Sequence, residues 1–76
     1  MVEAEREYAA GNADAALSWA RRTLACRDDA RVHRAIATYA CAAHEVGLAK
    51  AYYDQLPSRF QPAIVERCKL EGITIP

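Results

Sequence analysis

The chain has 76 residues, 53% of them hydrophobic, and its ten basic and ten acidic side chains cancel to a formal net charge of zero. That length makes one small domain, near the size at which a single core only just outweighs chain entropy, and the balance of charge excludes a global field that would draw the chain to nucleic acid or an anionic membrane. No apolar run approaches the roughly 20 residues that span a bilayer, and the acidic start lacks the basic and apolar regions of a secretory signal.

Alanine is the commonest residue, with three glycines and three prolines, and β-branched residues come singly rather than in strand-like runs. The composition therefore reads as all-α, with no strand expected. Val2 to Ala10 reads as a short, acidic first helix with Val2, Tyr8 and Ala9 as contact points. Gly11-Asn12 breaks it, since glycine accepts the left-handed backbone that closes a helix. Asn12 or Asp14 caps a second helix that runs to about Cys26, with Ala13, Ala16, Leu17, Ala20 and Leu24 on one apolar face and Arg21 and Arg22 toward solvent.

Arg27-Asp28-Asp29 is the next break, and either aspartate can cap a third helix. This helix is expected to be the longest and best buried, because Val32, Ile36, Tyr39, Ala40, Ala43 and Val46 keep one face apolar. Gly47 is expected to end it, and Leu48 to Leu56 to form a fourth helix stopped by Pro57. Ser58, as a capping box with Gln61, or Gln61 itself beside Pro62, opens a fifth helix with the stripe Phe60, Ile64, Cys68 plus Val65. It ends near Glu71-Gly72, leaving Ile73 and Ile75 to fold back.

Charge is uneven along the chain. Residues 1–20 hold Glu3, Glu5, Glu7 and Asp14 against Arg6, about −3, while residues 21–34 hold five arginines against Asp28 and Asp29, about +3. The plain reading is that these halves attract each other when packed. Arg21, Arg22, Arg27, Arg31 and Arg34 also make a phosphate-tracking patch conceivable, which keeps nucleic-acid binding as an alternative function.

Three cysteines cannot all pair within one molecule, so reduced, buried thiols in a cytoplasmic protein are the expectation. A Cys41–Cys68 pair, stapling the fifth helix to the third, is the alternative in an oxidising compartment. Cys41 and His44 stand close on one helix but make only two ligands, and His33 is about 16 Å further along the axis, so no metal site is expected. No phosphate loop, metal-protease helix or dinucleotide fingerprint is present, and an all-helical chain without a glycine-rich turn offers no oxyanion pocket. The expectation is a non-enzyme without cofactors. Tyr52 and Tyr53 point in different directions on a helix, so at most one is expected in the core.

One pattern recurs about 35 residues apart: Gly11-Asn12-Ala13-Asp14-Ala15-Ala16-Leu17 and Gly47-Leu48-Ala49-Lys50-Ala51-Tyr52-Tyr53. The first segment, closing at Leu24, resembles the second half of a tetratricopeptide repeat, with Ala16 in the small packing position. Ile36, Tyr39, Ala40 and Ala43 match the packing positions of the next repeat's first helix, Gly47 its turn, and Ala51 the next small position after a one-residue deletion. Ile36 and Ala43 stand where that family carries tryptophan and a large aromatic. Residues 49–57, with Cys68 and Gly72-Ile73, also look like the closing segment of repeat-containing tails on bacterial regulatory proteins, including some serine/threonine kinases.

The resemblance implies about five antiparallel helices forming a short α-solenoid over residues 1–76: tetratricopeptide-like hairpins over 2–56 and a capping helix over 58–73 that covers the last exposed face. It further implies a scaffold that binds a peptide or neighbouring domain in a groove between the first and third helices. That groove would present Arg34, Ala37, Cys41, His44 and Glu45, with Glu5 and Tyr8 opposite. Self-association through an unpaired first helix is the rival within the same class.

Overall fold

The computed structural model describes residues 2–75, and every regular element among them is helical. The order is α1 (Val2–Ala9), α2 (Ala13–Thr23), α3 (Ala30–Ala42), α4 (Val46–Gln55), a single 3₁₀ turn (Ser58–Phe60) and α5 (Gln61–Leu70). The all-α reading therefore holds.

Two hairpins, α1–α2 and α3–α4, form the body, and α2 packs against α3 to join them. The core is one cluster. Ala16, Leu17 and Ala20 of α2 meet Val32, Ile36, Ala37, Tyr39, Ala40 and Cys41 of α3, and Ala4, Ala49, Leu56, Ile64, Cys68, Ile73 and Ile75 close around them. Burying each large aliphatic of this set contributes about 1.5–3 kcal/mol, while the alanines let helix axes approach closely. As expected, α3 is the longest helix, and Ile73 and Ile75 fold back, 7% and 3% exposed.

Several local expectations change. In α1 the buried contact is Ala4; Val2 and Ala9 are exposed and Tyr8 is half-buried. Asn12 makes no side-chain cap, and its amide instead donates to Glu7 Oε2 at 3.4 Å. Helix α2 stops at Thr23 because the backbone N–H groups of Leu24, Ala25 and Cys26 each bond three residues back, tightening the last turn to 3₁₀ geometry. Of the two candidate caps for α3, Asp29 acts, its carboxylate accepting from Val32 N at 3.1 Å. At α5 neither Ser58 nor Gln61 caps: Phe60 holds that position, and the Gln61 amide donates to the Tyr53 carbonyl at 3.1 Å.

The largest change is at the end of α3. The stop is His44, whose backbone is left-handed at φ 61°, and not Gly47, which lies inside α4. His44 N bonds to Cys41 O at 3.0 Å and Glu45 N to Ala40 O at 2.8 Å, the paired bonds of a Schellman close. Val46 is thereby taken off the α3 stripe; it opens α4 and is 47% exposed.

This close repeats the one after α1. Gly11, at φ 86°, bonds to Tyr8 O, and Asn12 to Glu7 O. The residues that then open α2 and α4, Asn12 (φ −98°, ψ 71°) and Glu45 (φ −91°, ψ 74°), share one conformation. The two hairpins thus share a register of 33 residues (44 less 11), which pairs Ala4 with Ala37 and Ala16 with Ala49, all four buried. The small packing residue of α4 is Ala49; Ala51 is exposed. Neither Tyr52 nor Tyr53 is fully buried: both pack at the margin of the core.

Candidate functional site

The side of the molecule shared by α1 and α3 carries a groove of about 260 Å³ lined by Glu5, Tyr8, Arg31, Arg34, Ala35, Thr38 and Tyr39. On α3 the lining residues recur every three or four positions, so one helical stripe faces the groove. Its floor is aromatic: the Tyr8 and Tyr39 rings stand 4.9 Å apart, tilted by 42°. Burial, then the Glu5 carboxylate, then Tyr8 hold the Tyr39 phenol above its ordinary value of 10.0. The rim is charged, with exposed Arg31 and Arg34 on α3 and exposed Glu5 on α1. Among the described residues no ion pair joins the acidic first helix to these arginines; Arg6 pairs with Glu3 at 3.8 Å and Arg27 with Asp29 at 3.2 Å. The two charged segments meet only in that Glu5 shares the rim with Arg31 and Arg34.

Of the residues expected to line a groove, Glu5, Tyr8 and Arg34 come together. Ala37 and Cys41 do not present surface: both are 0% exposed and belong to the core. His44 and Glu45 are exposed beyond the end of α3, where His44 borders a separate hollow with Glu7, Gly11 to Ala15, Ala42 and Ala43. The cause is α5. It lies along α3, with Arg34 over the Phe60 ring at 5.3 Å at one end and Cys68 bonded to Cys41 at the other. It also reaches α1, where Arg67 stands over the Tyr8 ring at 5.1 Å. Helix α5 packs along α3 and is tied to α4 by the Gln61–Tyr53 hydrogen bond, and the groove runs beside it.

The expectation of three reduced thiols is overturned: Cys41 and Cys68 form a disulfide with Cα atoms 5.2 Å apart, and only Cys26 is free, on the surface. Odd cysteine number excluded complete pairing, not a single bridge, and the two partners meet because α5 runs in the direction of α3. With Cys41 so bonded, it has no thiolate for a metal beside His44. Among the described residues no group of three His, Cys, Asp or Glu side chains stands close enough to hold a metal ion. His33 instead pairs with Asp28 and meets the Tyr52 ring edge-on at 5.4 Å.

The arginines of the second helix lie elsewhere. Arg22 stacks on Trp19 at 4.9 Å on the outer face of α2, with Arg21 beside it, whereas Arg31 belongs to the groove. Arg31, Ala35, Thr38 and Tyr39 were not assigned to the groove from sequence, although their spacing from Arg34 carries the signal. No helix is long and apolar enough to cross a membrane among the described residues. The chain matches no family model, no curated protein and no solved structure, so its resemblance to tetratricopeptide repeats rests on its own residues.

Proposed function

We propose that this chain is a non-catalytic protein-interaction module, a short tetratricopeptide-like helical scaffold that takes a peptide or a neighbouring domain on its α1/α3 side. The observation that carries the reading is the groove itself: two exposed arginines above a paired-tyrosine floor, the combination of aromatic surface and guanidinium that recurs at binding hot spots. The expected ligand segment carries a carboxylate for Arg31 and Arg34 and a small apolar side chain for the space beside Tyr8 and Ala35. The exposed face of α1 presents Glu3 and Arg6, bonded to each other, which favours a foreign partner over self-association through that helix. Pairing of Arg27 with Asp29 leaves one fewer free cation for a nucleic-acid backbone.

The test is selection of peptides from a displayed random library on the immobilised chain, followed by affinity measurement on Arg31→Glu/Arg34→Glu. Enrichment of acidic peptides whose affinity drops by about tenfold or more in the double variant is expected. Binders indifferent to the charge reversal would sink the groove assignment.

A further inference from the structure

The stripe of α3 that a tetratricopeptide-like scaffold would offer to a ligand is already covered by a helix, and that helix belongs to the same chain. From Phe60 at Arg34 to Cys68 at Cys41, α5 follows α3 for two turns, and Arg67 bridges to Tyr8 on α1. This is the geometry of a helical ligand lying in a groove. We propose that α5 is a resident ligand locked in place by the Cys41–Cys68 bond, and that a dithiol reductant releases it and opens the stripe to a partner's amphipathic helix with the same spacing of contact residues.

Apart from the covalent bond, residues 58–75 are held by the burial of Ile64, Ile73 and Ile75 and by the Gln61–Tyr53 hydrogen bond. Within the ten residues of α5 only Ile64 and Cys68 are buried, while Leu70 is 76% exposed and the helix's cation–π contact, Arg67 over Tyr8, involves an exposed arginine. A helix of this length has little stability on its own. Its tail adds Ile73 and Ile75, so the releasable unit is residues 58–75, hinged at the extended Leu56-Pro57 step. The α3 side chain bonded beneath it is Cys41, small enough to admit another helix closely. The favoured occupant therefore resembles α5: one large apolar residue, a small residue four positions on, and an aromatic one turn before, within reach of Arg34.

The chemistry needs a dithiol of the thioredoxin class. One of its thiolates attacks a sulfur of the Cys41–Cys68 bond, giving a mixed disulfide and one free thiolate; its second thiolate displaces the other cysteine. Two electrons and two protons pass to Cys41 and Cys68, and the reductant leaves as its own disulfide. Both cysteines are 0% exposed, so attack requires α5 to lift and reduction is coupled to opening. Because the thiols remain on one chain, 27 residues apart, the bond can re-form when oxidant returns.

This inference rests on the reading of the α1/α3 side as a partner groove, and its test separates the two. A labelled peptide of residues 58–75 carrying Cys68→Ser is titrated into the oxidised and the dithiol-reduced full chain, in a Cys26→Ser background that prevents cross-linking of copies, with fluorescence anisotropy as readout. Hydrogen exchange is followed on the same samples. The reduced chain is expected to bind at least about tenfold more tightly, with protection lost over residues 61–70 and kept over 30–42. Equal binding in both states overturns the proposal, as does loss of α3 protection together with α5. If library-selected peptides still depend on Arg31 and Arg34 while the 58–75 peptide binds neither state, the groove reading stands and the exchange of α5 is refuted.

Discussion

His44 occupies in the second hairpin the place that Gly11 occupies in the first. Both follow the last turn of a helix, both have positive φ, at 61° and 86°, and both donate to the carbonyl three residues back. An L-residue in this conformation is strained by roughly 1–2 kcal/mol, which glycine avoids. His44→Gly is therefore expected to stabilise the fold by about 0.5–1 kcal/mol after its added unfolded-state entropy, raising the melting temperature by a few degrees. His44→Val should lower it. Thermal melts of the two variants check the assignment, and an unchanged melt in both would refute it.

The same register makes a second claim testable. Ala49 is 0% exposed where α4 meets the rest of the fold, whereas Ala51 faces solvent. Ala49→Leu is expected to cost about 1–3 kcal/mol through overpacking, and Ala51→Leu to change stability by less than about 0.5 kcal/mol. Denaturant titrations with the opposite ranking would favour the 36-residue spacing of the two glycines over the 33-residue one.

Acid should act through Asp29. The Val32 backbone N–H, and more weakly the Arg27 guanidinium, hold its carboxyl below the ordinary 3.8 against a smaller opposing effect of desolvation. A carboxyl depressed in the folded state stabilises above its unfolded pKa and loses that contribution as pH falls through the folded value. The melting temperature is thus expected to fall below about pH 4, and to fall less steeply in Asp29→Asn, which keeps a capping side chain without the charge. Parallel pH profiles in the two proteins would contradict this.

At the alkaline end the groove floor reports on itself. Burial, with Glu5 and Tyr8 adding to it, holds the Tyr39 phenol above 10.0. Its protonated form is favoured by folding, so this stabilisation is complete below pH 10 and is lost as pH rises through the folded value. Phenolate absorbance should show Tyr39 among the last tyrosines to ionise, a step absent in Tyr39→Phe. Glu5→Gln should move that step downward; no movement would mean that Glu5 does not face the groove floor.

Much of this protein was legible from local patterns. Four breaks, at Gly11, Asp28-Asp29, Pro57 and Gly72, were marked by residues whose own backbone or side chain chemistry ends or starts a helix. The apolar stripes of α2 and α3 followed from helical period, so most of the core did too. The break at His44 was hidden, because histidine carries a weaker turn signal than glycine and Gly47 lies three residues later. That misplacement carried Val46 onto the wrong helix and Ala51 into the wrong packing position.

For the candidate site the division is sharper. The resemblance to a tetratricopeptide repeat implied Glu5, Tyr8 and Arg34 on one side, and all three line the groove. Whether that side stood open depended on where α5 landed, and nothing within residues 58–75 states it. Ile64 and Cys68 need an apolar face, and which face they meet is decided by helix-on-helix packing. Local periodicity thus determined the helices and what each buries; only packing of helix upon helix decided that Cys41 meets Cys68, that Ala37 is covered, and that the groove runs beside α5.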